Sequence, residues 1–339
     1  MTLKEIAKEA GVSVSTVSRV INKKTPSPAS KEVQDKIWSI VRRTGYRPNV
    51  NARSLKMGTA GMSASSGTRT LACIFARSGD ATSDPFFSQI ARAMEAEAYG
   101  NNYILKYSFS VHDIAAPDLL RQMKQDQADG VVILGRFKKQ LLKDLSQTRQ
   151  PVLYAGLNNI DSAIDQITCN GYDASLQAMD YLWQLGHRRI AYLGETSHEV
   201  RFKGYQEFLA RRKSDVGPSF IVNTEQTAEG GYYGACRLLE QTKTLTAVFC
   251  ANDMTAIGAM RAMKDMGREV PKDISIIGID DIDLAQYVSP LLTTVHIPLD
   301  EIGKQAARTL IDRIEGGHKL PMKVELPFYI VKRQSCRFI

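Results

Sequence analysis

Apolar and polar positions follow three rhythms along the chain. Between residues 3 and 44 the apolar positions recur at helical spacing. Leu3, Ile6, Ala7 and Ala10 share one face of a first helix, which the Thr2/Glu5 capping box starts and Gly11 ends. Ser13 caps a second helix, VSTVSRVIN, with Val17, Val20 and Ile21 as its inner stripe; Val14, Ser15, Ser18, Arg19 and Asn22 point elsewhere. A third helix runs from near Ser30 to about Thr44, with Val33, Ile37, Ile40 and Val41 inward. Two short helices joined by a glycine turn, with a third in support, predict a helix-turn-helix; a small structural bundle is the alternative. The segment MGTAGMSASSGT has no rhythm and predicts a flexible connector.

From Thr70 the pattern changes again. Short runs rich in Val, Ile, Leu and aromatics (TLACIFA, NNYILKYSF, DGVVILG, PVLYAGL, RIAYLGE, AVFCAND, ISIIGID) alternate with helical stretches such as FFSQIARAMEAEAYG, LLRQMKQDQ, SLQAMDYLWQLG and MTAIGAMRAMKDMG. This alternation predicts an α/β core with parallel sheets, whose ligands lie at the strand ends. No run of about 18 apolar residues predicts a membrane span. The N-terminus lacks the apolar run of a secretory signal, so a cytoplasmic protein is expected.

Charge is distributed unevenly. Residues 1–60 hold twelve Lys/Arg and four acids, an excess equal to the net charge of +8 of all 339 residues; the remainder is balanced at 32 of each sign. A small domain this asymmetric faces a polyanion. The five cysteines, Cys73, Cys169, Cys236, Cys250 and Cys336, show no CxxC spacing, which predicts reduced thiols and no structural metal. No cofactor is expected.

The stretches LKEIAKEAGVSVSTVSRVIN and GYRPNVNARSLKMG resemble the headpiece of the lactose-repressor/galactose-repressor (LacI/GalR) family of transcriptional regulators. The resemblance implies that Val14, Ser15 and Arg19 read bases. It implies that Ser13, Ser18, Asn22, Ser30, Tyr46 and Asn49 contact the DNA backbone. Arg19 is the best specificity candidate, because a guanidinium pairs bidentately with guanine. Val33 departs from the family, where many relatives carry a phosphate-touching threonine. In NVNARSLK the resemblance implies a hinge helix in which Leu55 wedges into the minor groove and Lys56 lies against a phosphate or the groove floor. A helical linker with Leu55 packed on its own domain is the alternative.

The core motifs LGHRRIAYLG, RFKGYQEFL, FCANDMTAIGAMRAM and PKDISIIGIDD resemble the periplasmic-binding-protein-like core of the same family. The implied layout is a headpiece over 1–48, a hinge helix and linker over 49–68, and a two-lobed core over 69–339. The N-lobe takes about 69–167 and 298–326, and the C-lobe about 168–297 and 327–339. The resemblance makes Arg201 the effector clamp and places Asn252 and Asp280 in the cleft between lobes. Arginine and carboxylate there suit a polyol, since each can hold two adjacent hydroxyls. Phe86 and Phe87 form an apolar wall or bury in their helix. Arg77 and Arg136 end or follow strands; they lie on the surface, or else join Arg201 around an anionic ligand. Gly156 stands where some relatives have aspartate, and Gln226 where some have an aromatic ring. Asp281 and Asp283 read as loop and cap residues, and His187 as a turn residue.

The implied function is a sequence-specific transcriptional regulator, a repressor of carbohydrate-utilisation genes controlled by a small sugar-like effector. Its partners are pseudo-palindromic double-stranded operator DNA and a second copy in a homodimer, with no heptad tail for a tetramer. The rival is an α/β enzyme of sugar or sugar-phosphate chemistry fused to a DNA-binding segment; no GxGxxG, GxxxxGK[ST], HExxH or GxSxG occurs. An exported sugar-binding protein is the third reading, opposed by the basic headpiece.

Overall fold

The computed structural model describes residues 3–21, 29–44, 69–75, 84–110, 128–137, 139–145, 150–214 and 216–339. Asn22, Tyr46, Asn49, Leu55, Lys56 and Arg77 lie outside them, as do the hinge, the connector and the stretch LLRQMKQDQ. The chain forms two units, Met1–Gly67 and Thr68–Ile339.

The first unit contains three helices among the described residues: α1 (Leu3–Ala10), α2 (Val14–Ile21) and α3 (Lys31–Thr44). Ile6, Ala7, Ala10, Val17, Val20, Ile37 and Ile40 form its core, with Val33 and Val41 packed against it. Gly11 takes φ 74°, and nothing lies within 4 Å of where its Cβ would be. The backbone angle, and not crowding, asks for glycine at this turn. Val12 N–H closes the turn on the Ala7 carbonyl at 3.0 Å.

The second unit carries two six-stranded sheets among the described residues. In the first, β1 (Arg69–Phe75), β2 (Tyr103–Ser110), β3 (Gly130–Leu134), β4 (Val152–Gly156), β5 (Asp165–Thr168) and β11 (Lys323–Glu325) run in the order β11-β5-β4-β3-β1-β2. Every neighbouring pair in it is parallel. In the second, β6 (Ile190–Gly194), β7 (Ile221–Asn223), β8 (Ala247–Cys250), β9 (Ser275–Asp280), β10 (Thr293–His296) and β12 (Tyr329–Val331) run in the order β12-β10-β9-β8-β6-β7. Only β12 is antiparallel to its neighbour. This is the α/β architecture the alternation predicts.

Helices cover both sheets. α4 (Pro85–Gly100) and α5 (Lys139–Leu145) belong to the first lobe; α6 (Gly171–Gln184), α7 (Val200–Arg211), α8 (Ala228–Gln241) and α9 (Asp253–Asp265) belong to the second. α10 (Leu299–Ile314) returns the chain to the first lobe and packs on α4. Small residues permit the closest approaches. A Cβ on Gly303 would sit 2.4 Å from the Ile90 carbonyl, and one on Gly258 would sit 1.9 Å from the Ala228 carbonyl. The chain therefore passes between lobes after β5, after β10 and after β11.

His187 stands in the turn after α6, where its N–H meets the Leu182 carbonyl at 3.1 Å, and its side chain has a structural role as well. It is buried, with Nδ1 3.0 Å from Thr246 Oγ1 and Nε2 3.0 Å from Ser275 Oγ and 3.2 Å from the Arg337 carbonyl. It thereby joins the strand ends of β8 and β9 to the last segment of the chain. No helix among the described residues is long and apolar enough to cross a membrane.

Candidate functional site

In the first unit, Ser13 caps α2 by accepting the Thr16 N–H at 3.1 Å, and its hydroxyl also meets Ser15 Oγ at 2.7 Å and Thr16 Oγ1 at 2.8 Å. Val14, Ser15 and Ser30 are exposed. Small, exposed residues over the first turn of α2 leave a surface that a base edge can approach. Ser18 and Arg19 lie on α2, but their side chains are outside the described residues. Val33 packs on the headpiece core, which gives this departure from the family a structural role.

In the second unit, the strand ends of the two lobes face each other across a cleft enclosing about 440 Å³, part of it open to solvent. The first lobe contributes Asp84, Phe86, Phe87, Gly135, Arg136, Tyr154, Gly156, Leu157 and Asn158; the second contributes Glu199, Arg201, Asn252 and Asp280. Most follow the carboxyl ends of β3, β4, β6, β8 and β9, where parallel sheets leave backbone groups and loops for a ligand. Asp84 caps α4 by accepting the Phe86 N–H at 3.0 Å. Phe86 and Phe87 are both buried and meet edge to face, with centroids 5.1 Å apart, so the apolar wall and the buried helix face coincide.

Arg201 is the centre of the second-lobe wall. It is 4% exposed. Its Nε donates to Glu199 Oε1 at 2.7 Å, Nη2 to Glu199 Oε2 at 3.0 Å and to Gln226 Oε1 at 2.7 Å, and Nη1 to the Ala251 carbonyl at 2.7 Å. Gln226 Nε2 closes the ring on Glu199 Oε2 at 2.9 Å. Burial acts to lower the Arg201 pKa, but the Glu199 charge and hydrogen bonds outweigh it and hold the pKa above its ordinary value. Four of the five guanidinium hydrogens are thus engaged by protein. The two-pronged grip on adjacent hydroxyls that the resemblance implies is not available to Arg201 here; one Nη1 hydrogen remains for a ligand.

Asn252 likewise has structural duties. As N-cap of α9, its Oδ1 accepts the Thr255 N–H at 2.9 Å, and its Nδ2 donates to the Gln226 carbonyl at 3.1 Å. Asp280, buried, ends β9 with φ 124°, a backbone region that non-glycine residues rarely enter and that clusters at functional sites. Asp281 pairs with His296 Nδ1 at 2.9 Å and accepts from Arg333 Nη2 at 2.6 Å, in keeping with its reading as a loop residue.

Of the two placements open for Arg136, the structure shows the cleft. From the first lobe it ion-pairs with Glu195, donates to the Ser197 carbonyl at 2.7 Å, and lies 3.7 Å from Glu199 Oε2. It therefore ties the two lobes together. With Arg77 outside the described residues, two guanidiniums face the carboxylates of Asp84, Glu199 and Asp280 in the lining, and Glu195 engages Arg136 from beside it. The observed lining carries no excess of positive charge to attract an anionic ligand.

Gly156 is explained by Tyr154. A Cβ at position 156 would sit 2.5 Å from the Tyr154 hydroxyl oxygen, so the phenol fills the space a side chain there would take. Burial pushes this phenol up to about 12, against the lowering effect of the Asn158 hydrogen bonds. Sequence reasoning missed Glu199, Tyr154, Asn158 and Asp84. An acid two positions before Arg201, where a helix begins, was the one available signal for Glu199, since carboxylates favour N-caps.

A family model described as bacterial regulatory proteins, lacI family, matches residues 2–49, and one described as a periplasmic binding protein-like domain matches residues 179–336. The chain is 30% identical over 353 residues to the HTH-type transcriptional repressor PurR of Haemophilus influenzae, covering 100% of this chain and 99% of that protein. Among solved structures, it resembles the transcriptional regulator CelR in its cellobiose complex, with 25% identity, a TM-score of 0.73 and 99% of each chain covered. It also resembles a LacI family transcriptional regulator from Enterococcus faecium with bound ribose. That match has 26% identity and a TM-score of 0.70, with 80% of this chain and 100% of that one covered.

Proposed function

The chain belongs to the lacI family of bacterial regulatory proteins, and from that premise we propose that this DNA-binding transcriptional repressor answers to a small neutral polar molecule, a sugar or sugar-like polyol, held in the cleft. Its relatives are repressors and it is not an enzyme. The observation that carries the effector reading is the composition of the lining. Among the described residues, two guanidiniums are balanced by carboxylates, and aromatic rings of Phe86 and Phe87 stand beside polar groups. A ligand with apolar ring faces and hydroxyl edges fits such a surface; a phosphate or sugar acid meets carboxylates with no positive excess. The related structures with cellobiose and ribose support the same class.

In this reading a homodimer sets two headpieces on a pseudo-palindromic operator in the cytoplasm. Val14, Ser15 and Arg19 read bases. Ser13, Ser18, Asn22, Ser30, Tyr46, Asn49 and Lys56 hold the backbone, and Leu55 wedges into the minor groove. The effector shifts operator affinity only by binding the two states of the core unequally. Thermal shift with neutral mono- and disaccharides, sugar phosphates, sugar acids and planar nucleobases tests the class, followed by operator binding with each hit. Stabilisation by neutral sugars alone is the expected result. Stabilisation confined to phosphates, acids or bases overturns it.

A further inference from the structure

Among the groups lining the cleft, Tyr154 presents a donor that the protein does not use. The ring is fully buried on β4 and meets Phe137 edge to face, with centroids 5.8 Å apart, so its direction is fixed. The hydroxyl oxygen accepts the Asn158 N–H at 3.3 Å. The hydroxyl's own hydrogen reaches no acceptor among the described residues. A buried hydroxyl hydrogen without an acceptor is costly, and burial here also keeps the phenol from ionising. Positions 154 and 156 lie on one face of the strand, two residues apart. Any Cβ at 156 would press within 2.5 Å of that oxygen. Glycine is therefore the clearance that lets the hydroxyl stand at the cleft wall.

We propose that Tyr154 Oη–H donates a hydrogen bond to the bound effector, so that the first-lobe wall selects molecules presenting an acceptor oxygen there, with Gly156 as the residue that makes room. The proposal rests on the reading of the cleft as the effector site. It gives that site a discriminating contact on the lobe opposite Arg201. A molecule presenting only a donor or an apolar group at this point leaves the phenol unsatisfied and binds more weakly by about tenfold, the usual weight of one such bond.

The test uses the full chain, with D-ribose, D-glucose, cellobiose and adenine as probes in calorimetry. For a sugar that binds the wild type, Tyr154→Phe weakens affinity about tenfold, and Gly156→Ala weakens it at least as much by displacing the hydroxyl. Operator affinity without sugar stays as in the wild type for both. The deoxy analogues of that sugar identify the acceptor: one loses affinity for the wild type but loses no more on Tyr154→Phe. Should Tyr154→Phe fail to fold by circular dichroism, Gly156→Ala and the deoxy series on the wild type still decide. Binding retained within twofold by Tyr154→Phe, or a deoxy series in which no position matters, overturns the proposal and leaves the cleft reading standing. A wild type bound by none of the four probes overturns both.

Discussion

Replacing Arg201 by alanine separates a ligand clamp from a structural keystone. The guanidinium and the Glu199 carboxylate are each about 4% exposed and share two hydrogen bonds, at 2.7 and 3.0 Å. Truncation leaves Glu199 with the Gln226 amide at 2.9 Å, the residue-201 backbone N–H at 3.2 Å and the Arg136 guanidinium at 3.7 Å. It also leaves Gln226 Oε1 and the Ala251 carbonyl without their donor. Breaking a buried ion pair by removing one partner costs about 3–5 kcal/mol. Arg136 stands near enough to compensate in part, which favours the low end, about 3 kcal/mol. For a domain of about 150–250 residues each kcal/mol lowers Tm by about 2–4 °C, so the expected drop is about 6–12 °C. Scanning calorimetry without ligand reads it, and urea midpoints check it. The double variant Arg201→Met with Glu199→Met removes both charges together and recovers part of the loss. A Tm within about 2 °C of wild type, with effector response abolished, refutes the reasoning and returns Arg201 to the role of a pure clamp.

Three further outcomes follow from named contacts. Gly258→Ala places a methyl 1.9 Å from the Ala228 carbonyl, backbone against a packed helix, and destabilises the second lobe by about 3 kcal/mol or more. Gly217→Ala, with nothing within 4 Å, is the control, and equal urea midpoints for the two count against the packing argument. Burial holds the His187 pKa below its ordinary 6.5, so as pH falls through about 6.5 the unfolded chain takes a proton that the folded chain refuses. Stability is therefore lost on acidification, and His187→Gln flattens the change between about pH 7 and 5.5; parallel pH profiles of wild type and variant contradict it. Arg19→Ala abolishes operator preference at a cost of about 1–3 kcal/mol while leaving salt-sensitive binding to random DNA, and equal losses on both in titration refute base reading.

Periodicity alone was enough for the headpiece helices, because the stripe of Ile6, Ala7, Ala10, Val17, Val20, Ile37 and Ile40 is local and repeats at helical spacing. It was enough for β1, β3, β4, β6, β8 and β9, whose central positions bury apolar residues on both faces. It missed β5, which reads DQIT. Asp165 is buried there because partners distant in sequence satisfy it: Arg313 grips it at 2.8 and 2.9 Å, and Met322 N–H donates to it at 2.7 Å, while the buried Gln166 amide bonds the backbone of the preceding loop at Ile160 and Ser162. The chemistry of the cleft divides the same way. The resemblance of the core motifs to the family, and not residue type alone, pointed to Arg201, Asn252 and Asp280 as cleft residues. Tertiary structure decided that Arg201 has four of its five donor hydrogens engaged by Glu199, Gln226 and Ala251, that Asn252 caps α9 and donates to the Gln226 carbonyl, that Arg136 spans the lobes, and that Tyr154 stands where Gly156 leaves room. Such assignments depend on which donor meets which acceptor across a gap between two sheets, and that pairing is a matter of distance in space, which spacing along the chain does not encode.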